Sequence, residues 1–221
     1  MLRLFASALF LILCACAPTS PPLTLPDNCR AELSTEQLVG RHWLDRGGIW
    51  RLRQSVLLEL GPKKIPMEGF LRLDLNRQEA RLLAMNEMGI VLFDLTVTAD
   101  GEQLHRAIPQ LQQRQGLAKG VAKSLRQIFL MPQPQILDQL ENHKNSQRLT
   151  RSAGTQKLGF TFDCQGDLRE TRLSGEQDDW RIVYSQYQPF GVVSLPMQIV
   201  LNDYRQSVKL SLWIREVKQE L

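Results

Sequence analysis

The residue types that most often carry chemistry are sparse in these 221 residues: four cysteines, at positions 14, 16, 29 and 164, and three histidines, His42, His105 and His143. The histidines lie in unrelated segments, and none stands in the His-Glu-x-x-His spacing that puts two zinc ligands on one helix face. Gly-x-Ser-x-Gly, a Walker phosphate loop and Gly-x-Gly-x-x-Gly are all absent from the sequence. Asp178 and Asp179 form an adjacent acid pair, but neighbours on a strand point to opposite faces, so a turn at a strand start accounts for them. His42-Trp43 beside Gly47-Gly48 reads either as the lining of a cleft or as an entry loop into the first strand. These patterns name no catalytic residue and call for neither metal nor cofactor, so a role other than catalysis is expected. What chemistry remains belongs to the thiols.

Two of the thiols close the N-terminal stretch. Arg3 precedes the apolar run from Leu4 to Leu13, ten residues long. A hydrocarbon core of about 30 Å takes about 20 helical residues to cross, so this run is too short for a span and suits the h-region of a signal peptide. Leu13-Cys14-Ala15-Cys16 then resembles the bacterial lipobox, an aliphatic residue and two small ones ahead of the cysteine that receives lipid. Cys14 fits that last place less well, because Leu11-Ile12-Leu13 leaves no small residue before it. The resemblance implies a signal peptide over 1–15 and attachment to a membrane through acyl chains on Cys16, each buried CH₂ giving about 0.8 kcal/mol. Ala17, where enteric lipoproteins retained at the inner membrane carry aspartate, implies sorting to the outer membrane, facing the periplasm. An ordinary secretory signal, with Cys16 a spare thiol, is the alternative. The proline-rich stretch Thr19 to Pro26 cannot pack as helix or sheet, and 16–27 reads as a flexible tether to one domain over 28–221.

Cys29 and Cys164 are then an even pair in an oxidising compartment, and a disulfide between them is expected; two separate buried thiols are the alternative. Such a bridge closes a loop of more than 100 residues, worth about 4 to 5 kcal/mol in the chain-entropy model. Loss of Arg3 with the signal lowers the formal charge from +4 to +3, a mild excess. Basic residues are spread along the chain and lack the concentrated stripe that nucleic acid requires, so no nucleic-acid partner is expected.

The elements that must position any site are mostly strands. Trp50, Leu52, Val56, Leu58 and Leu60 alternate with Arg51, Arg53, Ser55 and Glu59, the period of a half-buried strand. The same pattern recurs in Leu71-Leu73-Leu75, in Glu79 to Met85, in Val91-Phe93-Leu95-Val97, and after the midpoint in 158–163, 168–173, 180–187, 195–201 and 207–215. Asp100-Gly101, Gln165-Gly166-Asp167 and Ser174-Gly175-Glu176 supply turns. Between the two sets of strands, Leu117, Val121, Leu125, Ile128 and Phe129 recur at helical spacing, with Lys119, Lys123 and Arg126 on the wet side and Pro132 and Pro134 as stops. A shorter helix is expected from near Ile136 to about His143, and a mobile polar connection from Asn142 to Gly154. Nine or ten sequential strands with a helix inserted midway predict a mainly β fold with some α, a curved antiparallel half-barrel covered by a helical lid.

In that order of elements the sequence resembles the bacterial lipoprotein carrier and receptor proteins of the LolA and LolB type. Met85-Asn86-Glu87-Met88-Gly89-Ile90-Val91-Leu92-Phe93-Asp94-Leu95 looks like the family's strand, short glycine turn and strand leading into the lid. Leu195 to Leu201 followed by Val208 to Ile214 looks like its closing hairpin. The receptor's exposed apolar loop has no counterpart in Gly61-Pro62-Lys63-Lys64-Ile65-Pro66, which is polar at its tip. Within the superfamily the chain is similar to a set of outer-membrane lipoproteins, some encoded with aryl-polyene lipid biosynthesis genes. The resemblance implies a monomer with a cavity between sheet and lid for acyl lipid, lipoprotein acyl chains or an aryl-polyene lipid. Its inward candidates are Leu71, Leu73, Leu75, Phe93, Leu95, Val97, Val208, Leu210, Leu212 and Ile214, with Leu125 and Phe129 on the lid. The competing reading is a structural lipoprotein, packed solid, that acts as a scaffold for an envelope protein partner.

Overall fold

The computed structural model describes residues 23–26, 29–30, 32–42, 44, 47–113, 116–130 and 132–220; the signal stretch 1–15 and Cys16 lie outside the described residues. A short helix, α1 (Thr35–Arg41), comes first. Ser34 and Gln37 form a reciprocal capping box at its start: the Ser34 hydroxyl accepts from the Gln37 N–H, and Gln37 Oε1 accepts from the Ser34 N–H.

Twelve strands follow: β1 (Ile49–Leu60), β2 (Lys63–Asp74), β3 (Glu79–Met85), β4 (Val91–Val97), β5 (Glu102–Ala107), and, after two helices, β6 (Gln139–Asn142), β7 (Ser146–Ala153), β8 (Gln156–Asp163), β9 (Leu168–Ser174), β10 (Trp180–Phe190), β11 (Val193–Asp203) and β12 (Val208–Glu220). The helices are α2 (Pro109–Gln112) and α3 (Leu117–Leu125), the latter running on into a π turn over Arg126–Leu130. All twelve strands belong to one antiparallel sheet in the order β5-β4-β3-β2-β1-β12-β11-β10-β9-β8-β7-β6. Two meanders are thus joined where the first strand pairs with the last. That seam runs from Ile49↔Glu220 to Leu60↔Val208, with one irregularity at Arg53/Gln54. The architecture is a mixed fold, one large antiparallel sheet with short helical insertions.

Alternation places the core on one face. Trp50, Leu52 and Val56 of β1 and Leu71 and Leu73 of β2 are buried, while Arg51, Arg53 and Phe70 face out. Aspartates close several turns by accepting main-chain N–H groups: Asp74 from Arg77, Asp163 from Gln165 and Asp167, Asp203 from Arg205 and Gln206.

Two expectations need correction. The segment from Ile136 to His143 is a turn followed by strand β6, with Leu137 95% exposed, and the polar stretch from Asn142 to Gly154 is largely strand β7 rather than a mobile connection. Polar strand residues are retained here because they serve the N-terminal arm. The Gln147 carboxamide, buried, accepts from the Leu33 N–H at 2.9 Å and donates to the Leu33 carbonyl at 2.7 Å, acting as a surrogate strand partner. Strand β5 is also additional to the expected set; it is an edge strand whose residues 103–106 are exposed, so it carries no apolar alternation.

The arm is fastened covalently. Cys29 is disulfide-bonded to Cys164, with Cα atoms 5.9 Å apart and a sequence separation of 135. Cys164 sits in the β8–β9 turn, where the fully buried Asp163 also takes the Arg169 guanidinium, and Arg41 of α1 donates to the Gln165 carbonyl beside it. Further upstream, Leu23 to Pro26 line a groove with Val183 and Val200 of β10 and β11. Those two valines are each only 6% exposed although they stand outside the main core, on the sheet's other face.

Candidate functional site

The apolar face of α3 lies over β1 to β4 and β12 without filling the space beneath it. A cavity of about 290 Å³ remains, near the lower limit of small-molecule pockets. Its floor is built from Val56, Leu58, Met67, Leu82, Phe93 and Leu212, and its roof from Leu117, Val121, Leu125, Ile128 and Phe129. Along β1 it runs from Gln54 to Leu60, roughly 20 Å at the usual strand rise. Exposed Gln206, half-buried Val208 and exposed Gly116 border the Leu60 end, which is therefore the wetter one.

Gly120 is informative. It stands inside α3, where glycine costs about 1 kcal/mol relative to alanine, and it borders the cavity; a Cβ built there would meet nothing within 4 Å. Packing therefore does not demand the glycine, and a larger side chain there has space to enter.

The cationic side of the helix does more than meet water. Lys123 Nζ lies 2.8 Å from Asp178 Oδ1 and 2.9 Å from Asp203 Oδ2, reaching the β9–β10 turn and the end of β11. Burial works against the Lys123 ammonium, but the bonds to Asp178 and Asp203 outweigh it and hold its pKa above the usual lysine value. One turn on, Arg126 donates to the Thr98 carbonyl at 2.7 Å and to the Gly101 carbonyl at 2.6 Å, and pairs with Glu102 at 3.2 Å. The helix is thus clamped to β5 on one side and to β11 on the other.

Of the residues singled out from the sequence, Phe93, Val208, Leu210, Leu212, Leu125 and Phe129 line this cavity. Leu71, Leu73, Leu95, Val97 and Ile214 are buried in the surrounding core, and Leu75 packs against it half-buried. Gln54, Met67, Leu82 and Gly120 were not anticipated as lining. Gln54 is the notable one: it is 1% exposed and its Oε1 has no hydrogen-bond partner among the described residues. Among the described residues no group of three or more His, Cys, Asp or Glu is placed to hold a metal, and no helix is long and apolar enough to cross a membrane. His42 is buried at the end of α1, away from the cavity lining, and Trp43 lies outside the described residues.

The fold is LolA/LolB-like, as likeness to solved structures shows. A LolA superfamily protein from Nitrosomonas europaea superposes with a TM-score of 0.54 at 8% identity, covering 86% of this chain and 95% of its own. A domain described as an outer membrane lipoprotein-sorting protein, from Vibrio parahaemolyticus, gives a TM-score of 0.54 at 10% identity, covering 85% of this chain and 92% of its own. Likeness at such identity establishes the fold alone. No protein-family sequence model matches the chain, and no curated protein matches it by sequence.

Proposed function

We propose that the chain is a lipoprotein of the bacterial cell envelope that holds or transfers an apolar ligand in the cavity beneath α3. The observation that carries this reading is the cavity itself, lined mainly by apolar side chains of sheet and helix and bordered by a helix-interior glycine.

The clamps support a curled sheet with α3 as its lid. Strand β11 is six places from β5 in the sheet order, about 29 Å if flat at the usual spacing. Lys123 and Arg126 are three residues apart, a rise of about 4.5 Å, yet they reach Asp203 on β11 and Glu102 on β5. A flat sheet would put those two acids beyond the reach of one helical turn. Those two contacts are what supports the half-barrel reading.

In this reading residues 1–15 are a signal peptide, Cys16 carries the acyl anchor, 16–27 is a tether, and 28–221 is one domain on the periplasmic side of the outer membrane. The ligand class is acyl lipid, the acyl chains of lipoproteins or an aryl-polyene lipid, bound by a monomer without catalysis. The fold shared with a lipoprotein-sorting domain supports the class, and the lipobox-like Leu13-Cys14-Ala15-Cys16 supports the anchor.

The test uses the mature protein and an apolar fluorescent probe such as N-phenyl-1-naphthylamine, with native mass spectrometry of the material as purified. Uptake of the probe, or co-purified acyl lipid, that disappears in folded Leu125→Asp and Phe129→Asp is the expected result. A clean apo mass with no uptake of probe or lipopeptide overturns the carrier reading and leaves a packed scaffold.

A further inference from the structure

The cavity beneath α3 has a wet end and a shut end. At the wet end Leu60 pairs with Val208, and Val208 in turn with Asp203, whose carboxylate accepts the Gln206 N–H; the charged and polar groups of the lining therefore gather at this mouth. At the other end the lining along β1 stops at Gln54, which is 1% exposed. Gln54 pairs across the ladder with Gly69, where a Cβ would stand 3.2 Å from both Gln54 Cγ and Nε2. Glycine inside a strand marks a close approach, and here the glutamine takes the space a side chain would need, closing that end.

The dimensions between those ends decide how many chains fit. A volume of about 290 Å³ spread over roughly 20 Å of β1 leaves a mean cross-section of about 15 Å². A methylene fills about the 30 Å³ that a water molecule takes in the liquid, and an extended chain advances about 1.2 Å per bond. One hydrocarbon chain then needs about 25 Å², and two side by side about 50 Å². Small rotations of lining side chains can supply the first; the second requires the roof to lift. The roof is held on both sides, by Lys123 on Asp178 and Asp203 and by Arg126 on the Thr98 and Gly101 carbonyls. Its side chains Leu125, Ile128 and Phe129 are packed into the core, none more than 5% exposed.

We propose that the cavity is a slot for a single acyl chain, entered methyl end first towards Gln54, with the polar head left at the Leu60 mouth. Its ligand class is then a one-chain amphiphile, a fatty acid or lysolipid, and a lipid with two or three chains can seat only one of them. This rests on the carrier reading above and narrows it. The volume holds about ten carbons at 30 Å³ each, and the length about sixteen at full extension, which brackets the chain length at which binding stops improving.

The experiment is displacement of N-phenyl-1-naphthylamine from the mature protein by lysophosphatidylcholines from octanoyl to stearoyl and by dioctanoyl phosphatidylcholine, all below micelle formation. Affinity should rise about fourfold per added methylene, the ratio for one buried CH₂, and level off between about ten and sixteen carbons. The dioctanoyl lipid should bind within about threefold of octanoyl lysophosphatidylcholine, because its second chain stays outside; burying that chain as well would tighten binding by more than about a hundredfold. Val56→Phe, which fills the slot near its shut end, should move the plateau to shorter chains, and Leu82→Phe on the facing strand does the same if the first variant does not fold. A gain of about tenfold or more from the second chain overturns the single-chain slot and leaves the carrier reading standing, as does affinity that still climbs at stearoyl. A plateau unmoved in the folded variant also overturns it. Failure of the dye and every lipid to bind the folded wild type removes both.

Discussion

Acidification to pH 5 should cost this protein about 2 kcal/mol of stability through one histidine. His42 is 5% exposed at the end of α1, and its Nδ1 is sealed without a partner among the described residues. Burial pushes its pKa down from 6.5 to about 4. Above pH 6.5 the imidazole is neutral in both folded and unfolded chains, and the fold carries no protonation cost. Below that, the unfolded chain takes up a proton that the folded one refuses until the pH nears 4. Stability is therefore full above pH 6.5 and is lost as the pH falls towards the folded value, by about 3 kcal/mol in all at 1.36 kcal/mol per unit. About 2 kcal/mol of that is gone at pH 5. Guanidinium unfolding at pH 7 and pH 5, followed by tryptophan fluorescence, measures the loss in wild type and in His42→Phe, which keeps a ring but cannot charge. The carboxylates of Glu59 and Asp94, held low chiefly by bonds to Lys209 and Arg81 respectively, lose their contribution mainly below pH 5. Asp167, raised by burial, acts in the opposite sense. Both effects are common to the two proteins and cancel in the comparison. Equal losses in wild type and His42→Phe, or a folded-state titration of His42 near 6.5, would refute the reasoning.

Three further outcomes are expected. Cys164→Ser should lower stability by 2 to 5 kcal/mol in the same assay, since cross-linking across 135 residues is worth about 5 kcal/mol in the chain-entropy model. Gly120→Leu should fill the cavity from the lid and raise helix propensity together: the melting temperature rises by the equivalent of about 1 kcal/mol while probe uptake falls, and unchanged uptake would show that the probe binds elsewhere. Cys16→Ser, expressed in a bacterium with a lipoprotein pathway, should move the protein from the membrane fraction to the soluble periplasm and abolish labelling by radioactive palmitate.

Much of the fold was legible because its strands have one wet face. Arg51 and Arg53 against Leu52 and Val56 fix the orientation of β1 without any knowledge of its neighbours. Alternation reports a face, however, and says nothing of whether that face meets a void. Leu71 and Phe93 carry the same signal, yet one is core and the other cavity wall, because only the latter stands beneath α3. Strand β7 escaped notice because its buried residues include the polar Gln147, which bonds to Leu33 far away in sequence, and Thr150, which bonds to Glu141 on the neighbouring strand. Helix α1 carries a local signal, Ser34 three places before Gln37, but is too short to show apolar periodicity. Gln54 had a signal too: it is the polar residue in the inward register between Leu52 and Val56, and its meaning depends on Gly69 across the ladder.

The groove that Leu23 to Pro26 share with Val183 and Val200 changes how far the domain could roam if Cys16 is anchored. A chain free from Cys16 to the disulfide at Cys29 would have a contour of about 45 Å. With Leu23 seated on the sheet, only six residues lie between Cys16 and the folded body, a leash of at most about 25 Å. The β10–β11 face is then held near the bilayer while the cavity opens from the other face of the sheet. A domain so tied would work within one leash-length of the membrane that holds Cys16, and anything exchanged with another membrane would have to be brought to it.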